Sequence, residues 1–168
     1  MLDDLIKYIL YIFGSSLTRK FLGNYINYLV VKYIDFISNA GGDQMILSDK
    51  FQEFFEELCI NLVREIPFVL KFMLKIIFEN VLEFYTIEKK NYGPLFTYIF
   101  FNFFISPKLQ EIYSISPMKY PIVKNLNRLI RNICFNEKFL ETDEMAVYNN
   151  LINLNHLKLV KSMDHVKE

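Results

Sequence analysis

Tryptophan is absent from this sequence, and the residues that most often build sites or staples are scarce: two cysteines, two histidines, five glycines and five prolines among 168 residues. Cys59 and Cys134 lie far apart, each inside an apolar helical pattern, so they read as small buried hydrophobes rather than a disulfide, which fits a reducing compartment. His156 and His165 stand near the C-terminus with no cysteine or carboxylate cluster at a metal-ligand spacing. They read as solvated surface residues, and no metal site is expected. The turns at Gly41-Gly42 and Tyr92-Gly93-Pro94 lack the strand and helix that a phosphate-cradling loop needs, so no nucleotide or other cofactor is expected. The 19 basic and 19 acidic residues cancel, which argues against a nucleic-acid partner. The longest uncharged apolar run, Pro94 to Pro107, is 14 residues, short of the roughly 18 that suggest a membrane span. Leu5 to Leu17 is apolar but follows Asp3 and Asp4 instead of a basic region, so it reads as helix and not as a secretory leader. The carboxylate pairs Glu56-Glu57 and Asp143-Glu144 fall on wet faces or at a helix start, where solvation and dipole partnering explain them without acid/base chemistry.

What the sequence does have is apolar bulk. Hydrophobic residues make up 52% of it, 17 of them phenylalanine, and a chain of this length sustains one core. The apolar spacing is predominantly helical. Leu2, Leu5, Ile6, Ile9 and Leu10 form a first stripe, interrupted at Gly14-Ser15-Ser16; Leu17, Phe21, Ile26, Leu29, Val30, Tyr33, Ile34 and Ile37 form a second. Ser48 is the expected cap of a third helix with Phe51, Phe54, Phe55, Leu58, Cys59 and Leu62 inward and Glu53, Glu56 and Glu57 outward. Pro67 suits the first turn of a fourth, with Leu70, Leu74, Ile77, Val81 and Leu82 inward and Lys71, Lys75, Glu79 and Glu83 wet. Pro94 to Ile105 is apolar on all sides; its aromatics favour a strand locally, yet no second strand exists to pair with it, so a buried helix is expected. Pro107, Pro117 and Pro121 then bracket a connection in which Leu109 to Tyr113 makes a short turn. A further helix starts near Pro121, with Ile122, Leu126, Leu129, Ile130 and Ile133 inward and Lys124, Asn127, Arg128 and Arg131 outward. Thr142, Asp143 and Glu144 signal one last cap before Met145, Tyr148, Leu151, Ile152 and Leu154. The reading is all-α, a single multi-helix bundle over residues 1–168.

Four segments, in order, resemble landmark motifs of Ras GTPase-activating domains. Ile12-Phe13-Gly14-Ser15-Ser16-Leu17-Thr18-Arg19-Lys20 resembles the finger-loop motif LFRGNSLASK, and Ile66-Pro67-Phe68-Val69-Leu70-Lys71 resembles the FPxxLR helix start. Leu95 to Pro107 is similar to the signature FxFLRFINPAIVSP, keeping Asn102 and Ser106-Pro107. Lys124-Asn125-Leu126 through Arg131-Asn132-Ile133 resembles the basic helix that follows, and Phe139 and Met145 continue the pattern. The resemblance covers about residues 8–155 and implies a shortened all-helical domain of that family that acts on a Ras-family small GTPase.

The departures shape the expected function. At the position matching the catalytic finger arginine stands Phe13, and at that of the second, loop-steadying arginine stands Tyr98. An arginine finger contributes about 10³ to 10⁵ in rate, so its replacement by a benzyl group implies loss of nearly all activation. Arg19 is the nearest substitute, six residues on from Phe13. The resemblance further implies a GTPase-facing surface of Phe13, Gly14, Ser15, Tyr98, Asn102, Lys124, Arg128 and Arg131. Lys124 and Arg131, seven residues apart, share one helix face and Arg128 flanks them. The leading expectation is a non-catalytic effector or scaffold that binds the GTP-bound GTPase, as in the IQGAP-like branch, in the cytoplasm or brought to membranes through that GTPase. The alternatives are an active GTPase activator with a displaced finger at Arg19, and an unrelated helical interaction module.

Overall fold

The computed structural model describes residues 24–25, 27–35, 44–65, 68, 71–72, 75–76, 79, 97, 101–115 and 120–164. Five helices contain most of them: α1 (27–35), α2 (Gln44–Glu65), α3 (Ser106–Ile115), α4 (Tyr120–Phe135) and α5 (Asn149–Asp164). A π-helical turn, Phe101–Ile105, leads into α3, and a 3-10 turn, Glu144–Tyr148, leads into α5. No strand occurs among the described residues. Thr97 and residues 101–105 are helical, so the aromatic run adopts the expected helix where it is described. The motifs at Phe13 to Lys20 and at Tyr98 lie outside the described residues.

The helices form because their apolar residues recur on one face, and they stay because those faces meet. α5 packs against α2 and α4, and α4 against α3. Leu29, Val30, Tyr33 and Ile34 of α1, Phe51, Phe54, Phe55 and Leu58 of α2, and Leu126, Leu129, Ile130 and Ile133 of α4 are all buried, as their spacing predicts, and Val123, which the sequence reading did not name, is buried with them. Cys134 is buried as a thiol among them, which fits the sequence reading. Aromatic edges fix the orientation of the seam. Tyr33 meets Phe54 and Phe51 meets Tyr148, each with centroids 5.2 Å apart and rings near perpendicular, the arrangement that ring quadrupoles favour.

Polar bonds register the helices on one another. The Tyr33 hydroxyl donates to Glu57 Oε2 at 2.8 Å and Lys32 Nζ pairs with the same oxygen at 3.0 Å, tying α1 to α2. Burial pushes the Glu57 carboxyl upward, but these two donors outweigh it and hold it below its ordinary value. Burial raises the Tyr33 hydroxyl, and its bond to Glu57 raises it further. Between α2 and α5, Asn155 Nδ2 donates to Gln52 Oε1 and to the Leu151 carbonyl, both at 2.8 Å, and Lys158 Nζ donates to Glu56 Oε1 at 2.7 Å.

Several sequence expectations are corrected. Helix α2 begins at Gln44, so Ser48 lies inside it and not at its cap. The segment after Pro107 is a ten-residue helix, α3, rather than a connection with a short turn. Pro107 has no N–H to offer a carbonyl in the preceding turn, and the widened π-turn immediately before it accommodates the ring. The cap expected at Thr142, Asp143 and Glu144 is present, with Asp143 as the capping residue. Leu154 points outward, 51% exposed, because the stripe of α5 runs through Ile152, Asn155, Leu159 and Met163. Asn155 occupies a core position that composition alone would give to an aliphatic residue; its amide is satisfied by Gln52 and Leu151. Lys75 and Glu79 are exposed as expected and Lys71 is half-buried, and Phe68, Phe72 and Ile76 are exposed as well, Phe68 at 80%.

Leu129, fully buried, and Leu154 give a direct test. Leu129→Ala should lower stability in urea unfolding by about 2 to 5 kcal/mol, the cost of a cavity in a closed core. Leu154→Ala should change it by less than about 0.5 kcal/mol. Equal losses would contradict the assignment of faces on α4 and α5.

Candidate functional site

Helix α4 divides cleanly. Its apolar stripe faces α3 and α5, and its other face carries Lys124, Asn127, Arg128 and Arg131 at spacings of three and four residues. That polar face includes all three basic residues on α4 that the sequence assigned to a partner surface.

The C-terminal end of α4 is closed by donors from four places. Asn136 adopts a left-handed conformation, φ 54°, and its N–H donates to the Ile133 carbonyl at 3.3 Å while the Glu137 N–H reaches the Asn132 carbonyl at 2.9 Å. This pair of bonds is the Schellman arrangement. The buried Thr97 hydroxyl donates to the Cys134 carbonyl at 3.0 Å. His156 Nδ1 lies 2.8 Å from the Ile133 carbonyl, and since a carbonyl can only accept, Nδ1 carries the proton. The expectation of a solvated His156 is therefore corrected: it is half-buried and caps α4. Its spacing of four from Ile152 and three from Leu159 on the buried stripe was the signal in the sequence. His165 lies outside the described residues.

Beyond the cap, the loop is held against the same face. Asn149 stands at the start of α5; its Oδ1 accepts from the Phe139 N–H at 2.8 Å and its Nδ2 donates to the Phe139 carbonyl at 3.0 Å, so one side-chain amide satisfies both backbone groups. Asp143 Oδ1 accepts from the Met145 N–H at 2.9 Å and caps the 3-10 turn, while its Oδ2 pairs with Arg128 Nη2. The Met145 N–H lowers the Asp143 carboxyl most; partial burial opposes this, and the Arg128 charge adds to the lowering.

Arg128 and Arg131 are thus ion-paired within the chain. Arg128 also lies 3.7 Å from Glu144, with its guanidinium 5.4 Å from the Phe139 ring centroid. Arg131 pairs with Glu137 at 3.0 Å, reaches Asn132 Oδ1 at 3.2 Å and covers the Phe135 ring at 5.2 Å. The stacking and fork geometry fix both arginines more tightly than lysine would be. Lys124 is exposed, one turn nearer the N-terminus, at the edge of a groove of about 160 Å³. Leu109, Gln110 and Tyr113 of α3 form one wall, and Val123, Lys124 and Asn127 of α4 the other. Asn127 Oδ1 is buried there with no hydrogen-bond partner among the described residues.

Of the residues that the resemblance assigned to a GTPase-facing surface, Lys124, Arg128 and Arg131 share the α4 face. Asn102 is half-buried in the π-turn, away from that stripe in sequence. Phe13, Gly14, Ser15, Tyr98 and the substitute Arg19 lie outside the described residues. Sequence reasoning named Asp143 as part of a cap but missed its pairing with Arg128, and it missed Glu137 and Asn149 altogether. Among the described residues no group of three or more His, Cys, Asp or Glu side chains could hold a metal ion, and no helix is long and apolar enough to cross a membrane. Comparison with protein-family models, curated proteins and solved structures finds no match in any of the three.

Two measurements check the loop. Asn149→Ala should cost about 1 to 3 kcal/mol in urea unfolding, because it removes both bonds to Phe139. The lowered Asp143 carboxyl contributes stability that is complete above its ordinary value of 3.8 and is lost as the pH falls through the folded-state value. Asp143→Asn should therefore unfold at lower urea than the parent near neutral pH, with the two midpoints converging as the pH falls below 3.8 and through the lowered folded-state value. A gap that stays constant with pH would show that the charge of Asp143 does not stabilise the fold.

Proposed function

We propose that this chain is a protein-binding module that docks an acidic partner on the Lys124, Arg128 and Arg131 face of α4, and that the partner is a Ras-family GTPase in its GTP-bound form. The observation that carries the reading is the clustering of three cations on one face of a helix whose C-terminal end is closed by a Schellman turn, Thr97 and His156. Rigid presentation lowers the ordering cost of association. The groove beside Lys124 adds apolar surface from Leu109 and Val123. The four ordered motifs supply the identity of the partner.

The ion pairs set a condition on this docking. Asp143, Glu144 and Glu137 already neutralise much of Arg128 and Arg131, so an acidic switch segment must compete with them or join them in shared pairs. Such a surface contributes more to orientation and encounter rate than to bulk affinity. With Phe13 and Tyr98 at the two arginine positions, binding stabilises the GTP-bound switch conformation without speeding hydrolysis, which is the behaviour of an effector or scaffold.

The test is binding of the purified chain to a panel of Ras-family GTPases loaded with a non-hydrolysable GTP analogue or with GDP, with hydrolysis followed in parallel. Binding selective for the GTP form, unaccompanied by faster hydrolysis and weakened at least about tenfold by Lys124→Glu with Arg131→Glu, is the expected result. Faster hydrolysis abolished by Arg19→Ala would replace the effector reading with an active one. No binding across the panel would remove the GTPase from the account.

A further inference from the structure

The two arginines of the α4 face are held by carboxylates of different standing. Asp143 is engaged at both oxygens: Oδ1 accepts from the Met145 N–H at the 3-10 turn, and Oδ2 pairs with Arg128. Removing its charge therefore disturbs the loop together with the pair. Glu137 has no second duty. Among the described residues its side chain bonds to Arg131 alone, Oε2 to Nη1 at 3.0 Å, and both side chains are about half exposed. The part that Glu137 plays in closing α4 belongs to its backbone N–H, which a glutamine in its place keeps.

Arg131 keeps its orientation without Glu137. The buried Asn132 holds Nη1 through Oδ1 at 3.2 Å, and the guanidinium lies 5.2 Å from the Phe135 ring centroid. Among the described residues both hydrogen bonds of Arg131 are made by Nη1, which leaves the Nε and Nη2 edge of the fork for an incoming carboxylate. Two parallel bonds from such an edge are stronger and more directional than the single bond that Glu137 makes.

An exposed pair like Arg131 with Glu137 adds little to stability. Its negative charge nevertheless sits beside the cation that an acidic ligand must approach, and it lowers the attraction by a roughly constant amount. Such a penalty decides the outcome where charge is the sole attraction. A diffuse polyanion stays off, while a partner that also grips the fork edge and fills the α3 groove still docks; discrimination of this kind needs a repulsive element as well as an attractive one. We propose that Glu137 is the specificity-determining residue of the docking face, screening Arg131 so that polyanions attracted by charge alone are kept off. This rests on the α4 face being the docking surface proposed above, and not on the partner being a GTPase.

Titration of the full chain with a poly-glutamate peptide, read on the Arg131 side-chain N–H signal in NMR, tests it beside the GTPase panel. The parent should bind the peptide weakly. Glu137→Gln should bind it about three- to fivefold more tightly at low salt, with the gain fading above about 0.5 M salt and the thermal melting curve matching the parent's. Combining it with Arg131→Gln should abolish the gain, which a general change in loop order cannot do. Equal affinity of the parent and Glu137→Gln for the peptide would overturn the inference, as would a gain that survives Arg131→Gln or no peptide binding by either chain. A gain with the peptide but no binding to any GTPase would support the role of Glu137 and remove the GTPase from the proposed function.

Discussion

The C-terminal carbonyls of α4 are the constraint on which the rest of the described structure depends. A helix ends with carbonyls that its own backbone cannot satisfy, and these are deep in the protein, where leaving one unpaired costs roughly as much as a lost hydrogen bond. The solution draws donors from Thr97, from the turn at Asn136 and Glu137, and from His156 on α5. Satisfying one helix end therefore fixes the position of the aromatic segment before α3, the path of the loop, and the rotation of α5. Once α5 is set, its Asn155 and Lys158 register α2, and α2 in turn registers α1 through Glu57.

The same constraint shapes the polar face. The loop leaving the cap passes over α4 and carries Glu137, Asp143 and Glu144 to the arginines. Arg128 and Arg131 thereby acquire a structural role and a fixed geometry at once. Surface ion pairs of this kind add little to stability. Their consequence is orientation: the guanidinium planes lie over Phe139 and Phe135 instead of sampling solvent. As the proposed docking surface, this face gives up free charge for preorganisation, which suits selective recognition of one partner conformation more than strong attraction to any acidic surface.

Much of this was legible in the sequence, and what was not has a common cause. The inward stripes of α1, α2 and α4 follow from periodicity, because burial acts on every third or fourth residue and leaves a repeating trace. The start of α2 was misplaced because two capping types compete in the sequence: Asp43 directly precedes Gln44, but Ser48 stands closer to the first clear apolar repeat at Phe51. Helix α3 was obscured by Pro107, which reads as a break yet sits in a helical first turn after a π-turn. Long-range polar partners left no local pattern at all: Thr97 meets Cys134 and Asn155 meets Gln52 across 37 and 103 residues. The α4 cations were visible as residues, but their pairing with Asp143, Glu144 and Glu137 depends on a turn whose path only the fold reveals.

The proposed docking on the exposed face of α4 and the α3 groove requires α4 to be a rigid platform. Hydrogen–deuterium exchange of the chain, alone and with a GTP-analogue-loaded Ras-family GTPase in excess, tests it most directly. The account predicts slow exchange at the end of α4 in the chain alone, and added protection on binding that is confined to α3, α4 and the loop through Asp143. Fast exchange at Ile133 to Phe135 in the chain alone, or added protection confined to other segments, would contradict it.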